Sequence, residues 1–120
     1  MSQQDLAPGD FLVFQLESGF ALLRLLAVEE NDGEKVWHLA SYQDFFPDLE
    51  TAESAAANPN DLRVSNSHIA LTNRAFESTQ VARIANLPLT DADLNPLIKW
   101  GDDPDREVSD RSVRLMLGLR

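Results

Sequence analysis

The chain has 120 residues, a formal net charge of −10 and no cysteine. A chain of this length is expected to form one domain with its own core. The lack of cysteine excludes disulfides, thiolate metal sites and a cysteine nucleophile. Residues 1–5 are polar and unlike a signal peptide, and the longest apolar stretch is too short to span a bilayer. We therefore expect a cytoplasmic protein that does not enter a membrane.

The negative charge is concentrated in the first half of the chain. Residues 1–60 hold 11 acidic and 2 basic side chains, whereas residues 61–120 hold 9 acidic and 8 basic side chains. A surface of this sign repels phosphate backbones, which argues against nucleic-acid binding. It attracts a basic protein partner and accelerates the encounter. The alternative is that the acidity serves solubility alone.

Five segments have the apolar, aromatic and β-branched content of strands. They are residues 11–16, 20–29, 35–42, 67–72 and 79–85. Gly19 lies in a short loop between the first two segments, and Asp32-Gly33 between the second and third favours a primed hairpin turn. The second segment is apolar on both faces, which favours a central and strongly curved strand.

The connection after the third strand is long, acidic and aromatic. Within it, residues 49–57 are rich in Glu and Ala, and Asp48 can cap the start of a short helix there. We interpret residues 43–62 as a long connection between strands, and connections of this length often carry function.

Helical patterns return in the last 30 residues. Thr90 and Asp93 have the spacing of a capping box, and Pro96 predicts that the helix after them is divided into two short pieces. Residues 109–120 alternate as in a strand, yet Ser109 as a cap suits a helix, which is the interpretation we prefer.

These elements predict one α+β domain. Residues 8–89 would form a small SH3-like, strongly bent antiparallel sheet or barrel of about five strands. Residues 90–120 would form a C-terminal segment of one or two helices packed at its end.

We find no pattern of catalytic residues in the sequence. No serine lies on a Gly-x-Ser-x-Gly turn, and no glycine-rich loop is present. Asp44, Asp48 and Glu50 are close in sequence but lack the rigid scaffold and fixed separation that a glycosidase needs. We therefore expect no enzymatic activity and no cofactor.

The two histidines, His38 and His68, each lie in a predicted strand and can meet across a sheet. With Asp44 or Asp48 they would have the composition of a two-histidine, one-carboxylate metal site. Because a strand histidine is more often a half-buried packing residue, we expect no metal site.

A candidate partner-binding surface lies between residues 29 and 53, where eight acidic side chains accompany the single base Lys35. Phe45 and Phe46 are adjacent in this acidic stretch and are not easily both buried. An exposed aromatic ring beside carboxylates can anchor a basic protein partner. The residues that we assign to this surface are Glu29, Glu30, Asp32, Glu34, Asp44, Phe45, Phe46, Asp48 and Glu50.

Several short motifs between residues 8 and 90 carry a family resemblance. They are Gly9-Asp10-Phe11 opening the first strand, Gly19 in the hairpin, Arg24-Leu25-Leu26 in the second strand, Tyr42 with Asp44 and Phe46-Pro47, and Val81-Ala82-Arg83-Ile84 leading to Leu87-Pro88-Leu89. In these motifs the chain resembles the immunity protein 26 family, which is found beside bacterial polymorphic toxins. The resemblance implies a protein that neutralises a cognate toxin by binding it, without catalysis.

A second function remains open from the residues alone. The chain would then be a small-ligand or metal-binding accessory domain, with its ligand in the mouth of the barrel near Tyr42 and Phe45.

Overall fold

The structure is a computed structural model, and it describes residues 6–116 apart from the side chain of Asn31. Within that range the elements are β1 (Asp10–Leu16), β2 (Gly19–Asn31), β3 (Glu34–Phe46), α1 (Leu49–Ala57), β4 (Val64–Thr72), α2 (Asn73–Thr79), β5 (Ala82–Asn86), α3 (Asp91–Asp102) and α4 (Val113–Met116), with a 3₁₀ turn at Pro59–Asp61. The predicted α+β class is confirmed. None of these helices is long and apolar enough to cross a membrane.

The five strands form one antiparallel sheet in the order β4-β3-β2-β1-β5. In the described part of the chain β4 and β5 are the two edges and do not pair with each other, so the sheet is open and the expected barrel closure is absent. β-Bulges interrupt the pairing of β3 with both of its neighbours. Such bulges bend a sheet and increase its twist locally.

Helices cover both faces of the sheet, which explains why β2 is apolar on both sides. One face packs Phe14 and Leu23 against Phe76 of α2 and Val113 of α4. The rings of Trp37 and Phe76 stack there with centroids 4.0 Å apart. Two-sided burial is therefore achieved by helices rather than by closure of a barrel.

The opposite face has its own core under α1. Phe11, Leu22 and Phe46 pack there against Ala52 and Ala56, the two buried alanines of that helix. The small alanine side chains let α1 approach the sheet closely.

The β2–β3 hairpin confirms the predicted turn. Asp32 and Gly33 both have positive φ, 54° and 81°, and Asn31 pairs with Glu34 on either side of them. Positive φ at both central positions defines a type I′ turn. β3 continues to Phe46 rather than ending at residue 42, because β2 offers partners as far as Phe20.

The sequence did not predict α2. Its start is capped by Thr72, whose Oγ1 accepts a hydrogen bond from the Ala75 N–H at 3.2 Å, and its buried residues include Phe76. Gln80 ends the helix in the left-handed conformation. The strand predicted over residues 79–85 therefore begins three residues later, at Ala82.

The capping box of α3 is confirmed. Thr90 Oγ1 accepts from the Asp93 N–H at 3.1 Å, and an Asp93 carboxylate oxygen accepts from the Thr90 N–H at 2.9 Å. The predicted division at Pro96 is wrong, since α3 is continuous. Proline removes one hydrogen bond, to the carbonyl four residues before it, and that residue, Ala92, is solvent-exposed.

The C-terminal segment, for which both a strand and a helix were considered, contains a strand-like bridge followed by a short helix. Ser109 forms a parallel bridge with Leu71 at the edge of β4, and the helix α4 begins only at Val113. The remainder of the helix predicted for residues 109–120, from residue 117 on, lies outside the described residues.

Candidate functional site

The structure does not bring the nine predicted partner-binding residues together. Glu29, Glu30, Asp32 and Glu34 lie at the closed end of the β2–β3 hairpin, beside the turn. The other five lie at its opposite end, where Phe46 pairs with Phe20, and in the α1 segment that follows. We refer to the first group as the hairpin tip and to the second as the β3–α1 corner.

At the hairpin tip, Glu30, Asp32 and Glu34 are solvent-exposed, and Lys35 is the base adjacent to them in sequence. Glu29 differs from these three acids, because its carboxylate contacts a buried histidine. The tip therefore presents three acidic side chains to solvent.

At the β3–α1 corner, each aspartate has a structural contact. Asp44 accepts from the Arg63 N–H at 2.7 Å and lies 3.1 Å from the Arg63 guanidinium. These contacts, the backbone hydrogen bond first, lower the pKa of Asp44. Asp48 caps α1, as predicted, by accepting from the Thr51 hydroxyl and N–H. Those two hydrogen bonds lower the pKa of Asp48.

The two adjacent phenylalanines have opposite environments. Phe45 is 54 % exposed, whereas Phe46 is 8 % exposed and belongs to the core under α1. Successive side chains of a strand point to opposite faces, so only one of the pair can be covered by α1. The assignment of Phe46 to an exposed partner surface is therefore corrected. Leu49, at the start of α1, is 45 % exposed.

An acidic cavity of about 390 Å³ lies at this corner. Its lining residues are Asp44, Phe46, Thr51, Ser54, Ala55, Asn58, Asp61 and Leu62. The lining combines two carboxylates, one amide and two hydroxyls with the apolar side chains of Phe46, Ala55 and Leu62. Among the described residues no Lys, Arg or His side chain lines the cavity. Its chemistry suits a cationic side chain with an aliphatic stem.

The two histidines do meet across the sheet. His38 of β3 is completely buried, and its Nδ1 lies 2.8 Å from Nε2 of His68 on β4. On the other side of the His38 ring, Nε2 lies 2.5 Å from Oε1 of Glu29. Glu29 of β2, rather than Asp44 or Asp48, is therefore the carboxylate of this cluster.

The contact with Glu29 selects one tautomer of a neutral His38. A carboxylate only accepts, so a neutral His38 carries its proton on Nε2, donates it to Glu29 and uses Nδ1 as an acceptor. His68 then donates from Nε2, which leaves its Nδ1 as an acceptor. Burial, followed by repulsion from the charge of a protonated His38, lowers the pKa of His68 to about 4. His68 is consequently neutral at pH 7. We refer to Glu29, His38 and His68 as the histidine relay.

Trp100 of α3 covers the relay. Its ring meets His38 edge-on at a centroid distance of 4.9 Å and lies 5.3 Å from the ring of His68. The Trp100 indole N–H donates to the Glu107 carbonyl at 3.0 Å. The aromatic ring therefore has a fixed position between the relay and the segment after α3.

A cavity of about 530 Å³ lies beside His68 and Trp100. Its lining residues are His68, Ile69, Ala70, Trp100, Glu107, Ser109, Arg111 and Met116. It is distinct from the acidic cavity, with which it shares no lining residue. The relay thus connects a buried carboxylate-bound imidazole to the wall of an open cavity.

The relay is not arranged as a metal site. Glu29 and His68 contact opposite nitrogens of the His38 ring, so one ion cannot be coordinated by all three. Among the described residues no group of three or more His, Asp or Glu side chains is placed to hold a metal ion.

Tyr42 and Phe45 do not form a common binding site. Tyr42 belongs to the core that also contains Phe46, and burial raises its pKa. Phe45 points to the other face of the sheet, as the strand alternation requires. The barrel mouth expected between them is not formed.

Several residues of the motifs that carry the resemblance meet in a second polar cluster, which we call the Arg24 corner. Arg24 is 4 % exposed, and it donates to the carbonyls of Gly9, Leu87 and Pro88 at 3.0, 2.7 and 3.4 Å. Its guanidinium lies 4.2 Å from the ring centroid of Phe11. These motif residues hold the start of β1 against the segment after β5.

Asp10 completes the Arg24 corner. Its carboxylate accepts from the Ala7 N–H and from the Asn86 side chain, each at 2.7 Å. It also lies 3.8 Å from the Arg83 guanidinium. The Gly-Asp motif that opens β1 is thus explained by structural contacts.

No family model matches the sequence, and comparisons with curated proteins and with solved structures return no match.

Proposed function

We propose that the chain is an acidic protein-binding module that blocks a basic partner protein, without catalysing a reaction. The observation that supports this is the β3–α1 corner, where Leu49 of α1 is exposed, a cavity contains two carboxylates, and Phe45 is exposed on the opposite face of the sheet. Exposed apolar side chains together with a site for a cation are a common composition of protein-binding surfaces.

In this proposal a lysine or arginine of the partner enters the acidic cavity. Asp61 is exposed and available to accept its hydrogen bonds, and Asp44 adds a second carboxylate that Arg63 already holds in place. Phe45 packs against an apolar part of the partner surface. The exposed acids of the hairpin tip increase the rate of encounter through long-range attraction rather than through contacts.

The resemblance to the immunity protein 26 family suggests which kind of partner the module would block. An immunity protein of the immunity protein 26 type would use this surface to cover the functional site of a basic toxin. An SH3-like relationship of the bent five-stranded sheet is part of the same proposal, supported by its antiparallel order and its bulges.

The test is affinity capture from a lysate of the source organism at low and at high salt, followed by a binding measurement with the purified partner. We expect a basic protein that is retained at low salt and released at high salt. Phe45→Ala and Asp61→Asn should each weaken its binding about tenfold or more, because hot-spot residues typically contribute over 1 kcal/mol.

The matched control is Glu77→Gln, which removes an exposed acid from α2. It should leave the affinity unchanged within about twofold. Capture of no basic protein at either salt concentration, or binding that the corner variants do not weaken, would contradict the proposal.

A further inference from the structure

The cavity beside His68 and Trp100 has the volume of a small-molecule site. Such sites usually measure about 300–1,000 Å³ and combine apolar walls with a few placed polar groups. This cavity of about 530 Å³ has Ile69, Trp100 and Met116 as apolar walls, and three ionisable side chains line it as well.

Its charges are of both signs. Arg111 supplies a guanidinium and Glu107 a carboxylate. Within residues 6–116 neither side chain forms an ion pair. Because a guanidinium can hold a carboxylate with two hydrogen bonds, Arg111 is suited to the acid group of a ligand. Glu107 is suited to an ammonium group.

His68 adds a hydrogen-bond acceptor. Its Nε2 is used by His38, so Nδ1 is the nitrogen that remains. With His38 neutral, the relay keeps His68 in this tautomer, because Glu29 holds the single ring proton on the far side of His38. An ammonium group placed between Glu107 and His68 would have an acceptor on each side.

Trp100 provides an aromatic surface beside these groups. The Arg106 guanidinium lies 5.6 Å from the ring centroid of Trp100, and the rings of Trp100 and His38 form a T-shaped pair. The ring and Met116 can therefore pack against an aliphatic or aromatic side chain of the ligand.

We propose that this cavity binds a zwitterionic small molecule, a free amino acid or a dipeptide. Arg111 holds its carboxylate, Glu107 and His68 hold its ammonium group, and Trp100 packs against its side chain. Glu29 and His38 are positioning residues that keep Nδ1 of His68 available. This site is separate from the β3–α1 corner and does not rest on the protein-binding proposal.

The test is a titration of the intact protein with each of the twenty standard L-amino acids and with the dipeptide alanyl-alanine, followed by NMR of the histidine ring nitrogens. We expect at least one of these probes to bind at millimolar or lower concentration and to shift the His68 signals. The best probe is then compared with its analogues that lack either the amino or the carboxylate group. Each analogue should bind about tenfold more weakly, since each loses a charge-assisted hydrogen bond.

Variants of exposed lining residues test the assignment without disturbing the core. Arg111→Gln and Glu107→Gln should each weaken the best probe about tenfold. Arg83→Gln, an arginine replacement on the opposite edge strand, is the matched control and should leave the affinity unchanged. The proposal would be overturned if Arg111→Gln and Glu107→Gln bound the best probe as tightly as Arg83→Gln does, if both analogues bound as tightly as the best probe, or if no probe bound.

Glu29→Gln tests the positioning role. A glutamine amide can also donate, so the His38 tautomer is no longer fixed. We expect a changed pattern of ring-nitrogen shifts for His38 and His68 together with weaker probe binding. Unchanged tautomers with weaker binding would refute the relay as the cause.

Discussion

The Arg24 corner and the histidine relay are two polar clusters, each built around one buried side chain, that lie near α3 and have different hydrogen-bond partners. Arg24 shares a small cleft with Asp93 and Pro96 of α3, whereas Trp100 near the end of α3 contacts His38. The Arg24 guanidinium donates to backbone carbonyls. The relay consists of side chains alone and ends at the wall of a cavity.

This difference separates polar side chains that stabilise the fold from polar side chains that can bind a ligand. Buried charges that are satisfied by the backbone stabilise one arrangement of the chain, since leaving them unpaired is costly. A relay of side chains that leaves one acceptor at a cavity wall is open to a ligand. The Arg24 corner should therefore respond to mutation mainly in stability, and the relay mainly in binding and pH dependence.

The largest effect is expected for Arg24→Met. Methionine keeps most of the aliphatic stem but removes the donor to the Leu87 and Pro88 carbonyls, and leaves the Gly9 carbonyl with the Leu87 N–H alone. We expect a loss of about 3 kcal/mol in the free energy of unfolding, measured by urea denaturation. Arg63→Met, at an exposed ion pair, is the control and should cost about 0.5 kcal/mol. Similar losses of unfolding free energy in the two variants would show that the buried Arg24 contacts stabilise the fold no more than an exposed ion pair does.

Gly9→Ala should destabilise the same corner. Gly9 has φ of +95°, and a Cβ there would lie 2.5 Å from the Leu87 carbonyl oxygen. Gly33 also has positive φ but nothing within 4 Å of its Cβ position. We expect about 1 kcal/mol for Gly33→Ala from the backbone conformation alone and about 2–3 kcal/mol for Gly9→Ala. Thermal unfolding of both variants measures the difference, and equal losses would show that the close contact is unimportant.

The pH dependence of stability tests the relay. Because the pKa of His68 is lowered to about 4, the folded state binds fewer protons than the unfolded state between pH 6.5 and 4. The stability contribution of neutral His68 is present above pH 6.5 and is lost as the pH falls towards 4. We expect a loss of about 1–2 kcal/mol, allowing for solvent screening of a partly exposed ring.

Urea titrations at several pH values measure this loss. The His68→Gln variant should lose the dependence between pH 6.5 and 4, whereas the contribution of Asp44 is lost only below about pH 3.8. A His68→Gln profile with the same slope as that of the unsubstituted protein would show that His68 does not cause it.

The smallest effect is expected for Thr90→Ala, at the start of the helix that lies near both clusters. Loss of the capping hydrogen bond to Asp93 should cost about 1 kcal/mol. Thr90→Ser keeps the hydroxyl and should restore most of the stability. A thermal melt of both variants, with no recovery in Thr90→Ser, would argue against the capping role.

The features that the sequence predicted well depend on local signals. Asp32-Gly33 predicted the type I′ turn, and Thr90 with Asp93 predicted the capping box. The α2 helix was missed because it is only seven residues long, too short for a helical period to stand out. Its one local signal was Thr72, a residue type that can cap a helix. Threonine is equally common at the end of a strand, so this signal did not identify the helix.

The contact between Glu29 and His38 in the histidine relay could have been predicted from the sequence. A two-residue turn at Asp32-Gly33 places Ala27 opposite His38, and Glu29 lies two residues further along the same face. This register identifies Glu29, rather than Asp44 or Asp48, as the carboxylate. The position of His68 depends on a strand pairing across the whole α1 segment, which no local pattern specifies. Trp100 lies on α3, and no local pattern in the sequence predicts its contact with the two histidines.

The bridge between Leu71 and Ser109 has a consequence for self-association. Ser109 donates its N–H to the Ala70 carbonyl at 2.8 Å and accepts from the Thr72 N–H at 3.0 Å, so it occupies hydrogen-bonding groups of an edge strand. Unpaired edges are templates for intermolecular β-sheet growth. Truncation before Ser109 would expose this backbone next to the apolar side chains of β4, and the shortened chain would tend to aggregate through that edge.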